Sequence, residues 1–315
     1  MNPILEPALA KMVDEFVAAG RPKASEQSWQ ARRDGYRASA PLGGEVEDVG
    51  TIQEWQEGEC RVRLYQPDGA GLDRPALIYF HGGCFVSGDF DTHDRQLRML
   101  CRRAGALVFA VHTRLAPEHP YPAAHDDALA ATRAIMGSLA TWGGSLERLA
   151  LAGDSAGGHL ALVTALRLAS AGATQPSALC LLYPMLDPAG RSDSYRTLGE
   201  DYLITADMLQ SGFTAYLGPV AYDHPEACPL LHPALPALPP TLILTAEFDP
   251  LRDEGEALYH ALIEHGVEAA CQRQLGVTHG YFQLAAISPA ARQLIDQLAG
   301  WLRGLSIDRQ QGEVI

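Results

Sequence analysis

The sequence predicts an α/β protein built on a largely parallel sheet with helices on both faces, and two patterns carry that prediction. From about residue 50 onward, short apolar runs of β type alternate with segments of helical period. The runs are near-continuous in apolar residues rather than alternating, as in strands covered on both faces. In such a sheet, ligands gather beyond the carboxyl ends of the strands, so the chemistry is expected just after strands.

Taken in chain order, Ile4, Leu5, Leu9, Met12, Val13, Phe16 and Val17 recur at helical spacing and predict a helix over 4–19. Residues 20–44 are polar and punctuated by Gly and Pro, and read as part of an N-terminal appendage. Strands follow at 60–67, 75–80, 106–111, 148–153, 178–184, 241–248 and 268–274, with helices at 91–104, 121–137, 155–171, 251–265 and 288–303. Between 187 and 228 the alternation is interrupted by a helical stretch, 205–217, flanked by polar residues. The Pro-rich stretch 229–240 reads as a stiff loop into the next strand. The chain is therefore divided into an N-terminal cap segment (1–45), a core domain (46–186 and 229–305), an insertion (187–228) and a C-terminal tail (306–315). The first segment and the insertion are expected to cover one end of the sheet.

A formal charge of −14, from 24 Lys plus Arg against 38 Asp plus Glu, argues against phosphate backbones and anionic lipid surfaces as partners. The six cysteines are scattered without C-x-x-C pairs, which points to neither a zinc site nor a redox pair. The opening stretch has Glu6, Lys11 and Asp14 where a signal peptide needs apolar residues. No run approaches the roughly 18 apolar residues of a membrane span. The chain reads as soluble and cytoplasmic, with no nucleic acid among its partners.

The stretch "LALAGDSAGGHLAL" passes from a strand through small residues into a helix, with Ser155 between Gly153 and Gly157. This G-x-S-x-G pattern is that of a nucleophile on a strained strand-to-helix turn, where neighbouring side chains would collide. The bland alternative is a Gly/Ser-rich strand-to-helix turn, of the kind that can bind phosphate. A serine needs a base to take its proton, and a histidine base needs an acid to orient it. His279 follows the last strand beside Gly280, and Asp249 follows "TLILTAEF". Asp253, Glu254 and Glu247 are competing acids, although the two glutamates fit a helix start and a strand end; His260 and His265 fall in a helical pattern and fit a solvated face. A third element, "FHGGCF", follows the strand 75–80. The N–H groups of Gly82 and Gly83, with that of Ala156, are candidates for an oxyanion hole, and His81 is a candidate for fixing the loop. His81, His93 and His112 match no metal-ligand spacing, so no metal site is read there.

With "HGGCF", "TRLAPEHPYPAAHDD", "GDSAGG", "DPLRDEG" and "HGYF" in this order, the chain resembles the hormone-sensitive-lipase-like family of α/β-hydrolase esterases from about residue 60 to 303. "GDFDTHDR" is similar to its bacterial acetyl-esterase branch. The resemblance implies an α/β-hydrolase fold with a sheet of about eight strands and a helical cap. It implies Ser155 as nucleophile, Asp249 as acid, His279 as base, and Gly82, Gly83 and Ala156 as oxyanion donors. Arg114 and Glu118 would be structural support. Two residues depart from the family pattern: Cys84 stands where Gly or Ala is usual, and Thr113 where Tyr is common. The bland reading of Cys84 is packing.

The implied reaction is hydrolysis of short- to medium-chain acyl esters through an acyl-enzyme, without cofactor or metal, on a small-molecule ester substrate. Phe85, Asp154, Tyr183 and Leu203 are candidate substrate-binding residues. Amide, formamide or lactone hydrolysis on the same residues is the first alternative, and a non-catalytic ligand receptor the second. The family resemblance also allows a homodimer.

Overall fold

The apolar runs pair side by side into one eight-stranded sheet in the order β1-β2-β4-β3-β5-β6-β7-β8, seen in a computed structural model that describes residues 4–20, 22–69 and 71–305. The expected tail, 306–315, lies outside the described residues. Strands β1 (Thr51–Glu57) and β2 (Cys60–Gln66) form an antiparallel hairpin, and β2 pairs antiparallel with β4 (Leu107–His112). From β4 onward every pairing is parallel, through β3 (Arg74–Phe80), β5 (Gly144–Asp154), β6 (Ala178–Leu182), β7 (Thr241–Phe248) and β8 (Ala269–Thr278).

Two apolar layers flank the sheet because successive strand residues point to opposite faces. Ile78, Phe80, Leu149, Leu151, Leu179 and Leu181 face a layer containing α4 (Ala123–Ser138), α5 (Ala156–Ser170) and α8 (Arg252–Glu264). Their neighbours Leu77, Tyr79, Ala150, Ala152, Cys180 and Leu182 face α3 (Phe90–Ala104) and α9 (Pro289–Gly304). Double burial explains why these strands read as unbroken apolar runs. No helix among the described residues is long and apolar enough to cross a membrane.

Three elements escape the periodicity. Strand β1 lies at the sheet edge, Thr51 to Glu54 are exposed, and its polar residues alternate on neither period; Trp55, stacked on Trp142 at 5.9 Å, is its anchor. Helix α2 (Trp29–Ala38) buries none of its residues, so it has no apolar stripe to reveal it. It is held instead by ion pairs from Arg33 to Glu118 and from Arg37 to Asp89. The five-residue α6 (Asp193–Thr197) starts at Ser192, whose hydroxyl accepts from the Tyr195 N–H. Helix α7 (Ala206–Leu217) lies where the helical stretch 205–217 was read.

The N-terminal segment is stitched to the rest of the chain at both ends. Ahead of α1 (Pro7–Ala18), the Glu6 N–H donates to the Gly276 carbonyl at 2.8 Å. The Glu6 carboxylate accepts from Ser288 Oγ at 2.6 Å and the Ala290 N–H at 3.0 Å. These donors lie at the start of α9, where free N–H groups favour an anion. Further on, Ser25 bonds Asp207 through backbone and hydroxyl, and Arg32 donates to Ser211 Oγ and the Met208 carbonyl, so residues 25–32 are tied to α7. Replacing Glu6 with Gln keeps the acceptor and removes the charge from the α9 terminus. Urea unfolding of Glu6→Gln is expected to show a loss of about 1 kcal/mol, and an unchanged midpoint would remove the α9 terminus from the list of contributors.

Candidate active site

Ser155 lies between the last residue of β5 and the first of α5, at φ 55° and ψ −119°. A left-handed φ is costly for a residue with a Cβ, and the surroundings impose it here. The Ser155 N–H donates to the Leu182 carbonyl at 2.9 Å, and its own carbonyl accepts from His159 and Met185. A side chain at Gly157 would overlap the Phe80 carbonyl, and one at Gly153 would overlap the Gly157 backbone. The flanking glycines are needed because the turn is wedged against the end of β3.

Asp249 and His279 follow β7 and β8, at the same carboxyl end of the sheet. Asp249 is fully buried; one carboxylate oxygen accepts from the Leu251 N–H at 2.8 Å and the other lies 2.8 Å from His279 Nδ1. The proton of that bond belongs on Nδ1, which leaves Nε2 as the basic nitrogen. The His279 and Tyr183 rings pack in a T-shaped arrangement with centroids 4.7 Å apart. The competing acids are committed elsewhere. Glu247 accepts from Gly276, Asp253 from Ser194 and Arg252, and Glu254 from the N–H groups of Leu186 and Asp187. His260 and His265 are exposed on and beyond α8.

The loop after β3 corrects one expectation. The Gly82 N–H donates to Asp154 Oδ1 at 2.8 Å and is therefore not free to meet a substrate oxygen. Among the described residues, no acceptor engages the N–H of Gly83, of Cys84 or of Ala156, the first residue of α5. The free donors thus run one residue further along the loop than read from the sequence. Asp154 is a second correction. Placed among candidate substrate contacts, it is 1% exposed and turned inward, accepting from Tyr79 Oη at 2.8 Å and lying 3.0 Å from His93 Nε2. Burial pushes this carboxyl up, but His93, Tyr79 and Gly82 outweigh burial and hold it below the usual range.

The remaining candidates fall around this loop. His81 Nδ1 faces the Gly82 carbonyl at 2.9 Å and Nε2 lies 3.0 Å from His112 Nδ1; burial, with His112 next, pushes its pKa down to about 3. His81 is thus neutral at ordinary pH and braces the loop it belongs to. Cys84 is buried at φ 54°, and burial raises its thiol to about 11, which keeps the sulfur protonated at neutral pH. Phe85, at φ 64°, stacks on Tyr216. Tyr183 is buried, and Leu203 is half-buried at φ 70° ahead of α7. Arg114 forms a forked ion pair with Asp127.

Sequence reading missed Arg33. Its guanidinium donates to the Val86 and Ala116 carbonyls and to both Glu118 oxygens, joining α2 to the loop after β3 and to the "RLAPE" segment. No local pattern marks an arginine whose partners are 53 to 85 residues away.

Comparison with known proteins bears on the fold and the family. A family model described as the alpha/beta hydrolase fold matches residues 77–283. The carboxylic ester hydrolase LipN of Mycobacterium tuberculosis is 39% identical over 78% of this chain and 67% of its own. The ethyl acetate hydrolase of Pseudomonas putida is 34% identical over 91% of this chain and 93% of its own. The solved structure of a hyperthermophilic esterase from the archaeon Pyrobaculum calidifontis superposes with a TM-score of 0.90 at 32% identity, covering 96% of this chain and 99% of that one.

Glu254, five residues past Asp249, supplies a pH test. Burial raises its pKa well above the usual value, which favours the neutral acid. A folded-state pKa above the unfolded value of about 4.3 contributes stability that is present in acid and is lost as pH rises toward the folded pKa. Glu254→Gln keeps an acceptor for Leu186 and Asp187 and cannot ionise. Its urea midpoint is expected to gain on the wild type between pH 5 and pH 8, whereas a constant difference would show that Glu254 does not take up this proton on folding.

Proposed function

The chain belongs to the α/β-hydrolase family, in its hormone-sensitive-lipase-like branch, and is a carboxylic ester hydrolase; on that premise we propose that it cleaves short- to medium-chain acyl esters through an acyl-enzyme on Ser155. The observation that carries this reading is the 2.8 Å contact between Asp249 and His279 Nδ1, which leaves Nε2 for proton transfer at the same carboxyl end of the sheet where the strained turn after β5 carries Ser155.

In the proposed reaction His279 takes the Ser155 proton as Oγ attacks the ester carbonyl. The carbonyl oxygen, now negative, is met by the N–H groups of Gly83, Cys84 and Ala156, aided by the positive end of α5. His279 then returns the proton to the departing alcohol, and the same nitrogen activates the water that releases the acid. Asp249 fixes the imidazole and stabilises its cation without accepting the proton. Cys84 contributes its backbone N–H, and its protonated thiol takes no part in attack.

The short-acyl reading is supported by the relative from Pseudomonas putida, named for ethyl acetate. We read residues 1–45 and 187–228 as one cap over the site, supported by the bonds from Ser25 and Arg32 to α7. Leu203 ahead of α7 is the candidate for lining the acyl pocket. The six cysteines are free, which suits a reducing compartment, and we place the protein in the cytoplasm.

Hydrolysis of p-nitrophenyl esters from two to twelve acyl carbons tests this reading. The rate is expected to peak at a short chain and to vanish in Ser155→Ala, and an active Ser155→Ala would overturn it. Asp249→Asn is expected to lower kcat by on the order of 10⁴ with the fold retained. A variant with near wild-type kcat would remove Asp249 from the triad.

A further inference from the structure

The loop that offers the free N–H groups has an unusual backbone. Cys84 and Phe85 are consecutive residues with side chains, and both are left-handed, at φ 54° and 64°. A residue with a side chain is disfavoured there, and the conformation persists only where the surroundings enforce it. The loop's own turn bonds, from Val86 and Ser87 to the Gly83 carbonyl, do not touch the N–H groups in question.

Ala116 donates its N–H to the Phe85 carbonyl and Arg33 holds the Val86 carbonyl, but the contacts that bear on both strained side chains come from α7. A Cβ at Gly212 would stand 2.7 Å from Cys84 Cβ and 3.0 Å from its carbonyl oxygen, so the helix backbone lies directly against Cys84. One turn later Tyr216 stacks face to face on Phe85, with centroids 3.8 Å apart and planes at 11°. Gly212 and Tyr216 are four residues apart and share one face of the helix. That face is itself anchored. Tyr216 Oη bonds His125 Nε2 of α4, the Tyr216 carbonyl accepts from the Tyr121 N–H at 2.7 Å, and Glu226 ties Tyr121 Oη to Arg167 of α5.

We propose that α7 is a positioning element for the reaction: through Gly212 on Cys84 and Tyr216 on Phe85, it holds the strained loop so that the Gly83 and Cys84 N–H groups converge on the substrate's developing oxyanion. The inference rests on the reading of those groups as oxyanion donors. It adds that the insertion governs the chemical step as well as access to the site. Because the oxyanion exists only after attack, loosening the loop lowers kcat and leaves KM nearly unchanged.

The test is Tyr216→Leu, with Gly212→Ala as the second variant should the first not fold. Either is expected to lower kcat on a short-chain p-nitrophenyl ester by on the order of 10- to 100-fold, a partial loss of what oxyanion donors supply, with KM within about twofold. Affinity for a trifluoromethyl ketone, whose adduct on Ser155 carries the same oxyanion, is expected to fall by a similar factor. Tyr216→Phe, which keeps the ring, is expected to lose less than Tyr216→Leu. Adding Cys84→Gly to Tyr216→Leu is expected to recover part of kcat, because glycine takes a positive φ without support. A raised KM at constant kcat, or no recovery with Cys84→Gly, would overturn the proposal and leave α7 as a wall of the binding site. A wild type that does not bind the ketone would overturn the oxyanion reading itself.

Discussion

A single buried carboxylate joins the two halves of the site. Asp154 ends β5, next to Ser155, and accepts the N–H of Gly82 from the loop after β3. Tyr79 and His93 complete its shell. A buried carboxylate left without such partners costs several kcal/mol, so strand end, loop and α3 are held to one arrangement. Spending the Gly82 N–H on this carboxylate leaves the next two loop N–H groups open. The same link explains the glycine at 82, since a side chain there would run into Asp154.

Around that link, strain is concentrated where the chemistry is expected. Ser155, Cys84 and Phe85 all have positive φ, and each is pressed by a neighbour: Ser155 by the ends of β3 and β6, the other two by α7. A parallel sheet makes this possible because the strand ends lie side by side, bringing residues 81–85, 155, 249 and 279 to its carboxyl end although they span almost 200 positions of sequence.

Much of this was legible in the residues. Unbroken apolar runs announced the parallel strands, and most predicted helices end within two residues of those observed, as at 91–104 against Phe90–Ala104. The eight-stranded α/β-hydrolase fold and the ester-hydrolase class stand as read. What stayed hidden has a common cause. Strand β1 and helix α2 are fastened by edge pairing and ion pairs, which leave no apolar period to read. The roles of Gly82 and Asp154 were misplaced because which N–H is spent depends on a contact across 72 residues. Arg33 and Tyr216 likewise act through partners remote in sequence.

In the proposed reaction Ser155, raised on this strained turn, is the group that attacks. The direct measurement is reaction with a p-nitrophenyl alkylphosphonate, which traps an attacking oxygen as a stable phosphonyl ester. The expected result is release of one equivalent of p-nitrophenolate with parallel loss of esterase activity, and a phosphonyl group that peptide mass spectrometry locates on Ser155. Complete inactivation with the label on another residue, or with none on Ser155, would contradict it.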